Sequence, residues 1–404
     1  MPRMDRTAAP PMVARRPGLL GWAVLGGVGW LGLLQLGATM LAQHPPQAGF
    51  DLQLILDAAR RVAGGGSPYD PAAVAGRLQA SDLFYSYPPP LAQALAPVAG
   101  LPSGAALALW GVGATAGLGL VAVLLARRLA PGRPAPAVLL PLLALAPFVS
   151  PFAVALLFGN VDAWFGLLYG LVLLAALAEA GGAGRATLIG GGVALGLASV
   201  IKVHPAVLGL WFLVRALRGR GPAWTVLGAA VVTAAAVLGG SLAAFGTGPW
   251  ADYVAMLRTS SGADLASRLN IGPASQLALL LGSPAVARPL AVVVAAVAVA
   301  VTVAAAWLRA DPLESLAWAA VASLAVLPVT WFHYPVALIP FGVAAWLLAT
   351  GGRRALAVQV VLGLAVLAAI VSIVAPVLVW LAVGLVLAAI AGGARAAVHA
   401  EFAR

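Results

Sequence analysis

A few charged or hydrogen-bonding side chains interrupt a chain that is otherwise almost entirely apolar. They stand at junctions between long apolar runs, and they are Asp51, Asn160, Asp162, Lys202, His204 and His333. A carboxylate or an imidazole can take a proton from a hydroxyl group, and a cation can bind a phosphate. These residue types suit proton transfer beside an anionic group, provided that the fold brings them together.

Asp51 opens an amphipathic stretch directly after the first apolar run. Apolar residues recur at helical spacing over residues 52–59, and Gly64 and its two following glycines predict the end of that helix. An aspartate at the start of a helix is either an N-cap or, if one oxygen stays free, a general base. We interpret Asp51 as facing a cavity in which a hydroxyl group loses its proton, with capping as the alternative.

Asn160 and Asp162 lie in a short segment, residues 158–164, between two apolar runs. Gly159 permits a tight turn there, and either polar side chain can cap the helix that follows. The alternative is that the pair lines the rim of a cavity and either binds the hydroxyl groups of a sugar or orients a neighbouring residue.

Lys202 is the only lysine of the chain and stands at the junction of two apolar helices, beside the helix-breaking Pro205. A lysine near the bilayer centre costs about 2.5–3.5 kcal/mol, so it usually has a partner or a function. We predict an anion site, with Lys202 as a point charge for a phosphate and His204 as a second donor. The alternative is that Lys202 extends to the membrane interface.

His333 lies between two further apolar runs, among Trp331, Phe332 and Tyr334. It is either an interfacial histidine within a belt of aromatic residues, or a residue that faces the cavity as a proton acceptor or as a donor to phosphate.

Three weaker candidates complete the set. Tyr87 precedes three prolines and either stiffens its loop or stacks on a sugar ring. Residues 247–273 form either a flexible connection or an outer lid over the cavity, and Arg268 and Asn270 belong to this segment.

The composition places the elements that position these side chains in a membrane. Of 404 residues, 62% are hydrophobic and only 9% are charged, whereas soluble domains average about 25% charged residues. Apolar runs near or above ~18 residues recur, long enough to cross the hydrocarbon core as helices. We predict an all-α polytopic bundle: a single transmembrane domain at residues 17–394, between tails at 1–16 and 395–404.

The composition also excludes several classes of site. The chain has no cysteine, so disulfides and thiolate metal sites are not available. No motif for nucleotide phosphates, dinucleotides, metalloproteases or serine hydrolases is present. The net charge of +11 comes from arginines between apolar runs, where they determine membrane topology, and it does not indicate nucleic-acid binding.

The apolar runs predict about twelve spans and two outer loops, at residues 43–103 and 246–285. The spans are 17–42, 104–129, 135–158, 161–180, 185–201, 203–217, 223–245, 286–309, 313–330, 335–350, 355–375 and 376–393. Three prolines within 135–158 predict a broken or re-entrant helix.

The arginines predict the orientation of these spans. With both termini in the cytoplasm, most of the 23 Lys and Arg residues lie inside, as the positive-inside rule requires. All the candidate site residues then lie on the outer side of the cell membrane.

The ordered motifs resemble glycosyltransferase family 87. Those motifs are Asp51, Gly66-Ser67-Pro68-Tyr69, Phe84-Tyr85-Ser86-Tyr87-Pro88-Pro89, Phe158-Gly159-Asn160-Val161, Ile201-Lys202-Val203-His204-Pro205 and Trp331-Phe332-His333-Tyr334. Members of that family are membrane enzymes of the GT-C fold that use polyprenyl-phosphate sugars. The resemblance runs from about residue 17 to about residue 350.

The resemblance implies a role for each matching residue. Asp51 is expected to act as, or assist, the general base on the acceptor hydroxyl, and His333 and Lys202 are expected near the reacting centre and the donor phosphate. His204 and Arg268 are further candidates for the phosphate, and Tyr87, Asn160, Asp162 and Asn270 for the substrates. The family often has Gln and Asn where this chain has Asn160 and Asp162, and Asn-Gln-Ser where it has Asn270-Ile271-Gly272.

The implied reaction is an inverting transfer of a mannose- or arabinofuranose-type sugar to a lipid or glycan acceptor. The partners are then a polyprenyl-phosphate sugar, that acceptor and membrane lipids, and neither a cofactor nor a metal is expected. Broken helices and charged residues within a membrane also suit a transporter or a lipid flippase. The polar residues cluster on one side of the predicted bundle, and no inverted repeat is visible, so we favour the transferase.

Overall fold

A computed structural model describes residues 18–44, 46–77, 84–182, 184–260, 265, 267–349 and 352–402. Within these ranges the chain is helical and contains no β-strand, which confirms the all-α prediction. The predicted N-terminal tail, residues 1–16, lies outside the described residues.

The helices of the first half of the chain end at the junction that carries Lys202. They are α1 (Leu19–Leu41), α2 (Phe50–Ala63), α3 (Pro71–Val74), α4 (Pro89–Leu95), α5 (Ser103–Leu129), α6 (Pro136–Leu145), α7 (Ser150–Phe158), α8 (Phe165–Gly181) and α9 (Arg185–Ile201). A short 3₁₀ helix, Val161–Trp164, joins α7 to α8.

The helices of the second half continue to the last residues described. They are α10 (Ala206–Leu217), α11 (Gly221–Phe245), α12 (Gly248–Ser260), α13 (Pro273–Leu280), α14 (Ala287–Leu308), α15 (Pro312–Ala325), α16 (Ile339–Leu348), α17 (Gly352–Val371) and α18 (Val379–Phe402). A 3₁₀ helix, Tyr334–Leu338, precedes α16, and α18 extends through most of the segment predicted as a C-terminal tail.

Six helical segments among the described residues are long and apolar enough to cross a membrane. They are Leu19–Leu41, Ser103–Leu129, Val161–Gly181, Gly221–Phe245, Pro284–Leu308 and Gly352–Val371. The segments Pro136–Phe148 and Ser150–Phe158 would count as a seventh if they form one span, and five further apolar helices are shorter. The predicted count of about twelve crossings therefore stays a prediction.

The predicted break in the segment 135–158 is present in the structure. The chain bends by 72° between Pro136–Phe148 and Ser150–Phe158. Pro151 stands in the first turn of α7, where its missing N–H costs no helical hydrogen bond, whereas it would break a continuous helix. The bend brings the end of α7 against the start of α2, where Gly49 donates a backbone hydrogen bond to Leu157 over 2.7 Å.

The amphipathic helix predicted after Asp51 is α2. Its apolar residues Leu52, Ile55, Leu56 and Ala59 are all buried, and α2 packs against α4. The helix ends at Gly64, as the run of glycines predicted. With one face of α2 fixed in this way, the position of its first turn is fixed too.

Helix α9 lies close against α11 because glycines face the contact. A Cβ on Gly192 would stand 2.4 Å from the carbonyl oxygen of Val226, and one on Gly196 would stand 2.6 Å from that of Ala230. Small residues at such positions let two helix backbones approach each other in a membrane. Since Lys202 follows α9 directly, this contact helps to fix its location.

Candidate functional site

A glycine turn places Asp51 in the first turn of α2. Gly49 is the N-cap residue, with a positive φ of 73°, and no side chain caps the helix. Asp51 is the second residue of α2, and its Oδ2 accepts a hydrogen bond from the side-chain amide of Asn160 over 2.7 Å. The capping interpretation of Asp51 is therefore wrong, and its carboxylate is held by a residue more than a hundred positions away.

The turn between α7 and α8 supplies that residue. Gly159 has a positive φ of 66°, and a Cβ there would lie 2.5 Å from the Cβ of Leu52 in α2, so both its conformation and its contact favour glycine. Asn160 then caps the 3₁₀ helix Val161–Trp164 by accepting the N–H of Asp162 over 2.9 Å. The capping interpretation of Asn160 is confirmed, and the same side chain also binds Asp51.

Asp162 contacts Lys202 and His333 through a single oxygen atom. Its Oδ2 accepts a hydrogen bond from Lys202 Nζ over 2.6 Å and lies 3.4 Å from Nε2 of His333. The Asp162 side chain is only 1% exposed. A continuous series of contacts thus joins Asp51, Asn160, Asp162, Lys202 and His333, and we call these five residues the polar cluster.

Aromatic rings surround the ammonium group of Lys202, and we call the rings of Tyr87, Phe165 and Tyr334 the aromatic cage. Its Nζ lies 3.7 Å from the ring centroid of Tyr334, 5.5 Å from that of Tyr87 and 6.0 Å from that of Phe165. Such contacts stabilise a cation that has lost most of its water. The Lys202 side chain is 10% exposed, so the ammonium is held inside the protein and its predicted alternative, extension to the interface, is wrong.

His204 lies beside this cage, at the end of a chain of hydrogen bonds. The Ser323 hydroxyl donates to the carbonyl of Ala320, and Tyr169 therefore donates to Ser323 over 2.9 Å. The Tyr169 oxygen is 3.3 Å from Nδ1 of His204, which must then carry a proton. The buried Nε2 has no hydrogen-bond partner among the described residues, and in the neutral ring it is an acceptor, so a donor role toward phosphate requires the protonated ring.

His333 lies beside Asp162, and its role as a proton acceptor or as a donor to phosphate stays a prediction. It is buried, and neither ring nitrogen has a hydrogen-bond partner within the described residues, although Nε2 lies at ion-pair distance from Asp162. Buried polar atoms are normally satisfied. Two unsatisfied nitrogens beside a carboxylate indicate a place where a ligand or water completes the contacts.

Burial, opposed by polar neighbours in the cluster, explains the titration of Asp51. Burial raises the pKa of its carboxyl group above the ordinary value of 3.8, while His333, the Asn160 amide and Lys202 act in the opposite direction. Burial prevails because it disfavours the ionised form of a carboxyl group. Asp51 is therefore a stronger base than an exposed aspartate.

The remaining predicted residues lie in different surroundings. Arg268 is exposed, and none of the described contacts joins it to the polar cluster. Asn270 is fully buried and organises a loop: its Nδ2 donates to Pro328 O, and its Oδ1 accepts the N–H groups of Gly272 and Thr330. Their substrate-binding roles stay predictions.

Four residues at the site were not among the predicted site residues: Phe165, Tyr169, Ser323 and Tyr334. Only Tyr334 had a signal in the sequence, because it is next to His333. The other three lie in apolar helical runs, where a tyrosine or serine has no distinguishing spacing.

A separate cavity of about 570 Å³ lies among α6, α16, α17 and α18. Its lining is almost entirely apolar and includes Trp22, Pro141, Trp346 and Val383. No member of the polar cluster lines it. A cavity lined by Asp51, Lys202 and His333 stays a prediction.

Comparison with known proteins identifies one family. The model of glycosyltransferase family 87 matches residues 85–330, which is more than half of the chain. The matched region contains Asn160, Asp162 and Lys202, whereas Asp51 precedes it and His333 follows shortly after it. Neither the curated proteins nor the solved structures include a match to the chain.

Proposed function

The chain belongs to glycosyltransferase family 87, and from this premise we propose that it transfers a sugar from a polyprenyl-phosphate donor to a lipid or glycan acceptor. The observation that carries the proposal is the polar cluster. It combines the half-buried carboxylate of Asp51, the caged ammonium of Lys202 and the buried imidazole of His333 within one set of contacts. Transfer of a sugar from a phosphate needs a base for the acceptor and a cation for the departing phosphate.

Asp51 is the proposed general base. One of its oxygens accepts the Asn160 amide, so the other is the one to receive the proton of the acceptor hydroxyl. The acceptor oxygen forms a bond to the anomeric carbon as the bond from that carbon to the phosphate oxygen breaks. The electron pair of the broken bond leaves with the lipid phosphate, the configuration inverts, and the acceptor proton moves to Asp51.

Lys202 is the proposed partner of the phosphate. An ammonium has three donors, so Lys202 can donate to a phosphate oxygen while it keeps its contact with Asp162. The aromatic cage excludes water around the ammonium, which strengthens its attraction for the charge that develops on the leaving group. In this proposal His333, on the other side of Asp162, either assists Asp51 or donates to the same phosphate.

The sugar is proposed to be of the mannose or arabinofuranose type, with transfer on the outer side of the cell membrane. The charge distribution supports this orientation, since most arginines fall on the opposite side of the predicted bundle. A transporter or flippase was the alternative from the sequence. Membership of a glycosyltransferase family favours the transferase.

A panel of donors tests the proposal. The purified protein, in lipid nanodiscs, is incubated with labelled polyprenyl-phosphate mannose and polyprenyl-phosphate arabinofuranose, each with a membrane-lipid extract as the source of acceptors. We expect label to enter a new glycolipid or glycan with inverted anomeric configuration, read by NMR.

The same sugars carried by nucleotides are the matched control. Transfer from the nucleotide sugars alone would contradict the proposed donor. Movement of labelled lipid between leaflets without a new glycosidic bond would instead support the flippase.

A further inference from the structure

We propose that Asn160 and Asp162 are positioning residues that align Asp51 with Lys202 and His333, and that they are not ligands of the sugar. The inference deepens the proposed function, on which it rests. Of the alternatives that the sequence left open for this pair, it favours orientation of a neighbouring residue over substrate binding. Three observations carry it: their burial, the partners of their polar atoms and their location in one short turn.

Both polar atoms of the Asn160 side chain form hydrogen bonds within the protein. The residue is 4% exposed, its Oδ1 accepts the N–H of Asp162, and its Nδ2 donates to Asp51. The first contact fixes the orientation of the amide, because only an oxygen can accept that N–H. The NH₂ group must therefore point at the Asp51 carboxylate, and Asn160 presents a donor to one chosen oxygen of the base.

Asp162 is engaged in the same way at the other end of the turn. Its Oδ2 meets both Lys202 and His333, and at 1% exposure its carboxylate has no surface to offer a sugar. A buried carboxylate that contacts an ammonium and an imidazole at one oxygen atom holds the two groups at a fixed separation, and breaking its pair with the ammonium leaves an uncompensated charge. Asp162 thus determines where the ammonium and the imidazole stand.

The two residues are separated by a single position in the 3₁₀ helix Val161–Trp164 and its N-cap. Gly159 fixes the entry to this turn by its conformation and its contact with α2. One rigid turn therefore aligns the base on α2 with the cation that follows α9. A sugar is bound elsewhere, by groups whose hydrogen-bonding atoms are open to a ligand.

The substitution Asn160→Ser tests the positioning role of Asn160 separately from its role in folding. Serine also caps a helix, so the bond to the Asp162 N–H is retained, but its side chain is too short to reach Asp51. The Asn160 amide lowers the pKa of Asp51, as Lys202 and His333 also do, while Asp162 raises it. Loss of the amide donor alone should raise the pKa of Asp51.

The measurement is the titration of Asp51 by carbon-13 NMR, on protein with labelled aspartate in nanodiscs and with Asp51→Asn to assign the signal. We expect an upward shift in Asn160→Ser. Gln53→Ser is the matched control, because it removes another amide-to-carboxylate hydrogen bond of α2, from Gln53 to Asp57, and should leave the titration of Asp51 unchanged. An unchanged titration in folded Asn160→Ser would overturn the positioning role, and Asn160→Thr serves if the serine variant does not fold.

A comparison of combined variants tests Asp162. If it acts through Lys202 and His333, adding Asp162→Asn to the double variant Lys202→Met/His333→Gln should cost little further transfer activity. The triple variant also leaves no unpaired buried charge at the Asp162–Lys202 pair. A further loss that multiplies with that of the double variant would show that Asp162 acts on the substrate on its own and would overturn the inference.

The two tests separate failure of this inference from failure of the proposed function. A wild-type protein that transfers no sugar from any donor would remove the proposed function. The NMR titration of Asp51 needs no substrate and would still report whether Asn160 positions the carboxylate.

Discussion

A carboxylate that must take a proton near neutral pH gains basicity from burial, and Asp51 is located where burial acts on it. Its pKa is raised by loss of water, although nearby cationic groups and the Asn160 amide limit the rise. An exposed aspartate is almost fully ionised at neutral pH but is a weak base. Asp51 keeps the ionised form available and binds a proton more strongly.

The raised pKa of Asp51 predicts the pH dependence of the reaction. The ionised form of Asp51 is the active base, so kcat/KM should fall as the pH drops through its raised pKa. The acid limb should therefore lie above the pH at which an exposed aspartate, with an ordinary pKa of 3.8, loses its charge. Steady-state rates across the acid range measure it, and a limb at the ordinary value of aspartate would contradict the burial argument.

At the scale of single residues, the sequence predicted candidate site residues but not the contacts between them. Polar residues between apolar runs indicated where the functional site lies, because a charged side chain within a membrane is costly and usually has a function. They did not indicate which of these side chains contact each other. The partner of Lys202 is Asp162, 40 positions away, and that contact depends on how α8 packs against α9, which no local pattern encodes.

At the scale of elements, the apolar runs predicted the helices well because the length of an apolar run is a local property. The first run was predicted at 17–42, and α1 spans Leu19–Leu41. The fifth run was predicted at 185–201, and α9 spans Arg185–Ile201. The bend between α6 and α7 was predicted from its prolines, but its consequence, the contact of Gly49 with Leu157, was not.

The close contact of α9 with α11 predicts that a larger residue at the contact destabilises the protein. Gly192→Ala should destabilise the protein by about 1–3 kcal/mol, because the added Cβ meets the Val226 carbonyl and forces the helices apart. Denaturant unfolding in detergent measures the change.

Gly190→Ala is the matched control for Gly192→Ala. It lies on the same helix with nothing within 4 Å of an added Cβ, and it should be neutral or stabilising by about 0.5–1 kcal/mol. Equal effects of the two substitutions would contradict the close packing of α9 on α11.

At the scale of the whole molecule, the orientation in the membrane decides which substrates can reach the polar cluster. The charge distribution predicts cytoplasmic termini and an outer cluster. The chain has no cysteine, so single cysteines report topology without any background to remove.

Two exposed positions give the prediction for topology. A membrane-impermeant maleimide should label Arg77→Cys in intact cells and should label Gly132→Cys only after the membrane is opened. The reverse pattern would place the cluster on the cytoplasmic side and would contradict the proposed outer location of transfer.

The most direct test of the whole account is the activity of Asp51→Asn. The substitution keeps the size of the side chain but removes the base, and general-base catalysis contributes about 10²–10⁴-fold. Asp57→Asn, an exposed carboxylate paired with Arg60 in the same helix, is the matched control and should retain wild-type activity. We predict that Asp51→Asn inserts and folds like the wild type but loses at least a hundredfold in sugar transfer, and wild-type turnover in that variant would contradict the central role of Asp51.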